Sequence, residues 1–426
     1  MKRRVCLGLA LAWGLGSIVG AGTVASAQDW WDNALHNTRA GKSYWYSAEN
    51  GGFEAFTGVP IADIGCIECH GPTDATGAEY PADYQPNCVD CHDTSQAEWP
   101  VAEDQCYSCH GRQKTEAFTL GYSDVHRDMG MKCWECHSWD DLHNDGTPYQ
   151  SMLEPGAVDA DCTDCHDSLP GGHATYDPHG GVIHCASCHA QTVITCYNCH
   201  FESQVEAHVK RAKQPLSDFV MLVNRTKDGK VYPASFQSLS YQGHAFTAFG
   251  PYSAHTITRE GARTCTDCHY NMGGGVDAIQ QYNDNGIIRF AEWDDDTDEL
   301  SWTHGVIPIP EDYAITLRMD FITYDGDPSD PAGPSPNWSS IGKDLWDGSQ
   351  LFFATPLTRD QMDKLGFAEL CHPDFNDDGF VDVADLLELL AAWGTDPIGP
   401  PDIDGNRNVG VEDLLAVLAA WGTCPS

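Results

Sequence analysis

The chain has 426 residues, with 63 acidic side chains against 23 basic ones and a formal net charge of −40. So negative a field repels nucleic acid and anionic lipid and favours basic partners, which excludes a nucleic-acid-binding role. The length fits two or three domains, and the 19 cysteines are spaced too regularly for the disulfide framework of a short secreted chain.

The chain opens with Lys2, Arg3 and Arg4, an apolar stretch from Val5 to Val19, and small residues ending at Ala25-Ser26-Ala27. This predicts a secretory leader over residues 1–27, cleaved before Gln28. Gly8, Gly14 and Gly16 interrupt the apolar stretch, which makes it too weak for a spanning helix, and no later segment approaches the ~18 apolar residues a span needs. Cys6 lacks the small residues that precede a lipoprotein cleavage site. The expectation is an exported protein of the periplasm, cell surface or extracellular space, with no membrane span once the leader is removed.

From Gln28 to about Gly65 the sequence is aromatic-rich, with Trp30, Trp31, Tyr44, Trp45 and Tyr46. Seven Cys-x-x-Cys-His runs follow: Cys66/Cys69/His70, Cys88/Cys91/His92, Cys106/Cys109/His110, Cys133/Cys136/His137, Cys162/Cys165/His166, Cys185/Cys188/His189 and Cys196/Cys199/His200. An eighth is Cys265/Cys268/His269. Each is the attachment signature of one c-type haem. Two thiols reach the two vinyl groups of one porphyrin and the next residue offers its imidazole to the iron. Zinc sites would need cysteines in fours and no histidine after every second one, and a redox dithiol would need only one or two motifs.

The loops between motifs are rich in Gly, Pro, Asp and Asn, so little regular structure is expected there. Porphyrin faces would then supply the missing core, with the aromatic segment packed over the first haem. The sixth and seventh motifs start 11 residues apart and are expected to hold the tightest haem pair. After His200, residues Phe201 to Lys213 read as a short helix, and Phe219 to Asn224 and Val231 to Phe249 as strands joined by the turn Lys227-Asp228-Gly229-Lys230. Further strand-like runs cover Ile287 to Trp293 and Tyr313 to Tyr324, with a solvated acidic turn at 294–299 and a Pro-rich loop at 327–337. The fold class expected is mainly loop and short helix, with haems as its core and a small β insertion at about 216–250.

The sixth ligand separates a carrier from a catalyst, because an iron with two protein ligands has no open position. Outside the motifs and the tail, ten histidines remain. The eight chosen as distal ligands are His126, His143, His173, His179, His184, His208, His255 and His304, since they lie beside motifs or in Gly-rich loops; His36 and His244 are the weaker candidates. His184 precedes Cys185 directly and is expected to point at a neighbouring iron.

On these motifs, residues 28–368 resemble the multihaem c-type cytochromes, and the count resembles the octahaem group that includes hydroxylamine oxidoreductase and tetrathionate reductase. The resemblance implies eight haem c groups, extracytoplasmic electron transfer, and redox partner proteins that are basic or belong to a membrane-bound quinol-oxidising system. The alternative it implies is an octahaem oxidoreductase acting on a small nitrogen or sulfur compound. Several catalytic relatives place Cys-x-x-Cys-Lys at the active haem, and every motif here ends in His. Hydroxylamine oxidoreductase keeps His and adds a tyrosine cross-link, but none of the 16 tyrosines stands out for that role. A third reading is an adhesive exoprotein that haems hold together.

Residues 369–426 form a separate unit containing a 28-residue repeat. The first loop places Asp374, Asn376, Asp378, Phe380, Asp382 and Asp385 at positions 1, 3, 5, 7, 9 and 12, with Gly379 at 6, which is calcium-loop spacing. The second has Asp402, Asp404, Asn406, Asn408 and Asp413 at 1, 3, 5, 7 and 12, with Arg407 where glycine is usual. In both loops position 7 contributes its backbone carbonyl. Each loop precedes an apolar helical stretch, Leu386 to Trp393 and Leu414 to Trp421. The pattern resembles the type I dockerin repeat and implies a small all-α domain, two calcium ions and attachment to a cohesin-like or cell-surface partner. Val383-Ala384 and Val411-Glu412 stand where cohesin-binding dockerins carry Ser or Thr. Cys371 and Cys424 flank the repeats and are expected to pair.

Overall fold

The computed structural model describes residues 27–64, 86–169, 173, 177–333, 335–345, 347–376, 378–395, 401–404 and 408–424. The leader, apart from Ala27, lies outside the described residues, as does Asn406 of the second loop. So does the whole first motif, and the expectation that Cys66, Cys69 and His70 attach a haem falls on residues of which the structure describes nothing. Among the described residues no helix is long and apolar enough to cross a membrane.

Among the described residues twelve strands precede the tail: β1 (Val193–His200), β2 (Ala212–Arg225), β3 (Val231–Tyr241), β4 (His244–Pro251), β5 (Ile288–Asp294), β6 (Glu299–Trp302), β7 (Gly305–Pro308), β8 (Leu317–Met319), β9 (Phe321–Tyr324), β10 (Trp338–Gly342), β11 (Gly348–Leu351) and β12 (Ala354–Thr355). Seven of them form one sheet in the order β11-β4-β3-β1-β2-β12, with β7 alongside β2. The long β2 pairs with β1 through its first half and with β3 through its second.

This corrects the expected fold class. The protein is not mainly loop and short helix with a small insertion at 216–250, because paired strands run from Val193 to Thr355. The central strands are buried on both faces, as the near-continuous burial of β3 shows. Such strands read as unbroken runs of apolar and small residues and lose the alternation that marks a half-exposed strand. The run expected as one strand from Val231 to Phe249 is a hairpin. Gln242 (φ 51°) and Gly243 (φ 80°) form the two-residue turn that left-handed backbone permits, and Tyr241 faces His244 across it. The acidic run does close a hairpin, β5 to β6, and the Pro-rich run closes another, β9 to β10.

The main core sits on this sheet, with Phe219, Met221, Phe236, Phe249, Phe290, Trp293, Ile307 and Phe321 fully buried. A second cluster docks the N-terminal aromatic segment, packing Tyr46 and Phe53 against Phe201, Phe246 and Phe352. Between residues 86 and 189 the only buried apolar side chains among the described residues are Ala157 and Ala186. A sheet lined with buried aromatics and a stretch that buries two alanines cannot be stabilised by the same interaction, since each buried aromatic contributes about 2–3 kcal/mol and an alanine far less.

In the tail, helices Val383–Ala391 and Val411–Ala419 follow the two loops, and Cys371 is bonded to Cys424. The unit is not wholly α. β13 (Phe380–Val381) pairs antiparallel with β14 (Gly422–Thr423), so the end of the first loop is stitched to the residues after the second helix. Among the described residues its core holds four buried apolar side chains, Val381, Leu389, Val409 and Val417. His372 Nε2 lies 2.6 Å from Asp312 Oδ2 and ties the tail to the body.

Candidate functional site

Six of the described Cys-x-x-Cys-His runs lie on a short helix or a single helical turn: Cys88–Asp90, Glu103–Cys109, Cys133–Glu135, Cys162–Asp164, Cys185–His189 and Cys265–Cys268. In five of them the histidine N–H donates to the carbonyl of the first cysteine, at 2.8–2.9 Å, for His92, His110, His137, His166 and His269. That turn sets side chains three apart on one side, which brings the two thiols together. An acidic third residue supports it in four cases. Asp90, Glu135, Asp164 and Asp267 each accept the N–H of the residue before the motif, at 2.6–2.8 Å. This is the reciprocal half of a capping box.

Each of these six motif histidines faces a second imidazole. The pairs are His92 with His143 (centroids 6.0 Å apart), His110 with His36 (6.1 Å), His137 with His255 (6.3 Å), His166 with His126 (6.2 Å), His189 with His173 (6.5 Å) and His269 with His179 (6.1 Å). With metal–imidazole bonds of about 2 Å, two rings on opposite sides of one ion have centroids roughly 6 Å apart. The spacing therefore fits one metal-centred group per pair.

The second nitrogen is tied down as ligand imidazoles require. On the motif side, Nδ1 meets the carbonyls of Trp99 (2.6 Å, His92), Thr258 (2.9 Å, His189) and Lys364 (2.8 Å, His269). On the facing side, Nδ1 of His36 meets the Leu142 carbonyl at 3.2 Å and Nδ1 of His179 the Asp177 carboxylate at 2.8 Å. Donation from Nδ1 leaves the Nε2 lone pair free. Burial, reinforced by neighbouring imidazoles, pulls His110 down to about 4, and burial lowers His36, His143 and His255 as well. Each of these shifts favours the neutral ring, the form a metal takes.

The motifs also adjoin one another. Cys106 adjoins Cys133, and Cys162 adjoins Cys185, each thiol shifting the other's titration. After burial, Cys109 helps to raise Cys91, Cys165 helps to raise Cys136, and Cys188 helps to raise Cys268 to about 12. The described neighbours thus run second, third, fourth, fifth, sixth, eighth. The sixth motif meets the fifth and the eighth, and the contacts expected between sixth and seventh are not among these.

Of the eight chosen distal histidines, five stand opposite a motif histidine: His126, His143, His173, His179 and His255. His36, outside the chosen set, is the sixth. Its place in a motif-free aromatic segment hid it, and that segment lies over the second and third motifs, with Trp31 6.3 Å from His143. His184 is occupied otherwise. Its Nδ1 accepts the Ala186 N–H at 3.1 Å and its Nε2 faces the Asp161 carboxylate at 3.3 Å, so it caps a helix. His208 ends the helix Phe201–Ala207 in a left-handed conformation. His304 stands beside Trp302, and exposed His244 faces Asp347. None of these four faces a motif histidine among the described residues.

The seventh motif differs in every respect. Cys196 to His200 lie inside β1, and the His200 N–H donates to the Arg211 carbonyl across the sheet at 2.8 Å.

In the tail, carboxylate oxygens of Asp402, Asp404 and Asp413 converge within 4.8 Å of one another. Asp413 is buried and accepts N–H groups of Ile403 and Gly410, each at 2.7 Å. In the first loop Asp385 is buried in the same role, accepting from Phe375 and Asp382, each at 2.8 Å. Asp374 and Asn376 accept the Asp378 N–H, Asp378 that of Phe380 and Asp382 that of Ala384, at 2.7–3.1 Å. Asn408 follows the three residues outside the described set. Compared with known families, curated proteins and solved structures, the chain matches none.

Proposed function

We propose that the chain is an exported multihaem c-type cytochrome that carries electrons along a row of haems, with a calcium-binding dockerin-like tail that attaches it to a surface or partner. The observation that carries this reading is the set of six facing imidazole pairs, each formed between a helical-turn Cys-x-x-Cys-His and a histidine outside the motifs. Haem bound there supplies reversible one-electron chemistry. The chain's own residues do the rest. The paired thiols would hold the haem covalently, and the motif imidazole and its partner would be its nitrogen ligands. The carbonyls of Trp99, Thr258 and Lys364 orient the motif rings, and the adjoining thiols keep successive sites in a row. Two imidazoles at an iron leave no position for a substrate, which favours a carrier over an octahaem oxidoreductase. In the tail, Asp402, Asp404 and Asp413 hold one calcium ion, and Asp374, Asn376, Asp378, Asp382 and Asp385 another, each set completed by the carbonyl at loop position 7.

Spin-state spectroscopy of the purified protein tests this. The expected result is low-spin signals from the paired sites, and in His255→Ala the conversion of one iron to high spin. Predominantly high-spin haem, or no haem at all, would overturn it. His244→Ala, which alters an exposed histidine, leaves the spectrum unchanged.

A further inference from the structure

We propose that the seventh motif, Cys196-Tyr197-Asn198-Cys199-His200, carries no haem and serves as a structural strand, so that the mature chain bears one haem fewer than it has motifs. This rests on haem attachment at the helical-turn motifs.

The first ground is backbone geometry. Residues 195, 196, 197 and 199 pair in unbroken antiparallel register with Leu216, Pro215, Gln214 and Ala212. Paired in the sheet, Cys196 to Cys199 do not form the helical turn that carries the two thiols in the other six motifs. Two thioether bonds to one porphyrin edge need them on one side, as the helical turns of the other six motifs provide.

The second ground is what the intervening residues do. Tyr197 and Asn198 are fully buried. The Tyr197 hydroxyl donates to the Asp320 carbonyl, and Asn198 Nδ2 donates to the Ile322 carbonyl at 3.2 Å. Just before the motif, Thr195 Oγ1 donates to the Phe236 carbonyl at 2.6 Å. The motif thereby joins the central sheet to β9 and the residue before it, and Cys199 packs in the cluster of Phe53, Phe201, Leu239 and Phe246. Opening this strand to a flat ring would undo all three bonds.

The third ground is the histidine. His200 Nδ1 lies 2.9 Å from Ser203 Oγ, and Nε2 lies 3.2 Å from the Glu202 carboxylate, so neither nitrogen is turned to open space. The ring beside it is Tyr324, centroids 5.7 Å apart, and the Arg211 guanidinium lies 4.0 Å from the centroid of that tyrosine. Where the other six offer a second imidazole, this one offers a phenol already bonded to Asp330 at 3.0 Å.

The test is peptide mapping of the full chain matured in a host with haem-ligation machinery, unfolded and alkylated before digestion. The peptide spanning Cys196 and Cys199 is expected to carry two alkyl groups and no haem, while peptides from the helical-turn motifs carry one haem each. A haem on the Cys196–Cys199 peptide, as attachment to the chain before β1 pairs would leave, overturns the proposal. Haem missing from every motif peptide would instead remove the cytochrome reading on which it rests, and the two failures are told apart by the remaining peptides. In Cys196→Ser/Cys199→Ser the haem absorbance per chain is expected to stay unchanged; loss of one haem's worth also overturns it.

Discussion

Residues 86–189 and residues 193–367 are built on opposite plans. The first stretch holds five of the helical-turn motifs and buries only Ala157 and Ala186 among its described apolar side chains, whereas the second buries a large set of Phe, Ile and Val side chains on one sheet. The same five-residue motif occurs in both. In the first it forms a helical turn whose thiols share a side. In the second it does so again at Cys265, in a segment between strands, but at Cys196 it is a strand. The difference shows that the motif does not dictate its own backbone. Where neighbouring strands offer hydrogen bonds and apolar cover, it is drawn into the sheet, and where they do not it closes on itself and presents both sulfurs together.

The widest gap between the two stretches should open when haem is withheld. A chain expressed without haem-ligation machinery is expected to lose protease resistance throughout 86–189, since so little apolar surface there can offset the chain entropy, while 193–367 stays resistant. Limited proteolysis with mass-spectrometric readout measures it, and equal resistance of the two stretches would erase the contrast.

The tail sharpens the comparison because it too has a small core, four buried apolar side chains among the described residues, held by a cross-link across 53 residues. Units of this size depend on staples and bound metal. Cys371→Ser/Cys424→Ser is expected to destabilise the tail by roughly 2–4 kcal/mol and to make its unfolding sensitive to chelators, with the body's transition unmoved. Calorimetry with and without EDTA resolves the two transitions; a tail indifferent to both changes would contradict the calcium reading.

How much of this could be read from the chain depends on whether the signal was local. The helical turns, the 28-residue repeat, the Cys371–Cys424 pair and five of the facing histidines follow from spacing or from nearness to a motif. The β2–β3 hairpin was visible in its turn, Lys227 to Lys230. What stayed hidden was set by distant partners. His36 meets His110 from a segment with no motif, and His184 is diverted by Asp161 and its own helix. The spacing of Cys196 and Cys199 gave no sign that β1 is a strand, because its conformation is decided by Ala212 to Leu216, which pair with it. The extent of the sheet was missed for a related reason, since strands covered on both faces lose their alternation.

The sheet's self-sufficiency can be probed at Tyr197. Tyr197→Phe keeps the ring and removes only the donor to the Asp320 carbonyl, so the expected loss is about 1–2 kcal/mol, the usual effect of removing one buried hydrogen bond. Denaturant melts followed by tryptophan fluorescence measure it, with haem spectra unchanged. A change in the spectra would place Tyr197 at a haem, and so draw the seventh motif back among the others.

The smallest effect is expected where body and tail meet. Asp312 is largely buried, which alone would raise its pKa, but hydrogen bonds from His372 and Tyr282 outweigh that and hold the carboxyl below its ordinary range. A carboxylate whose folded pKa is depressed binds fewer protons folded than unfolded. Its contribution is therefore fully present above the ordinary carboxylate value and is lost as pH falls through the lower folded value. Asp312→Asn should cost about 1 kcal/mol or less at neutral pH and abolish that part of the acid-side loss below pH ~4. Stability measured from pH 7 to pH 3 in both proteins checks the sign: the two curves converge on acidification if the contact acts through charge, and stay parallel if Asp312 only fills space.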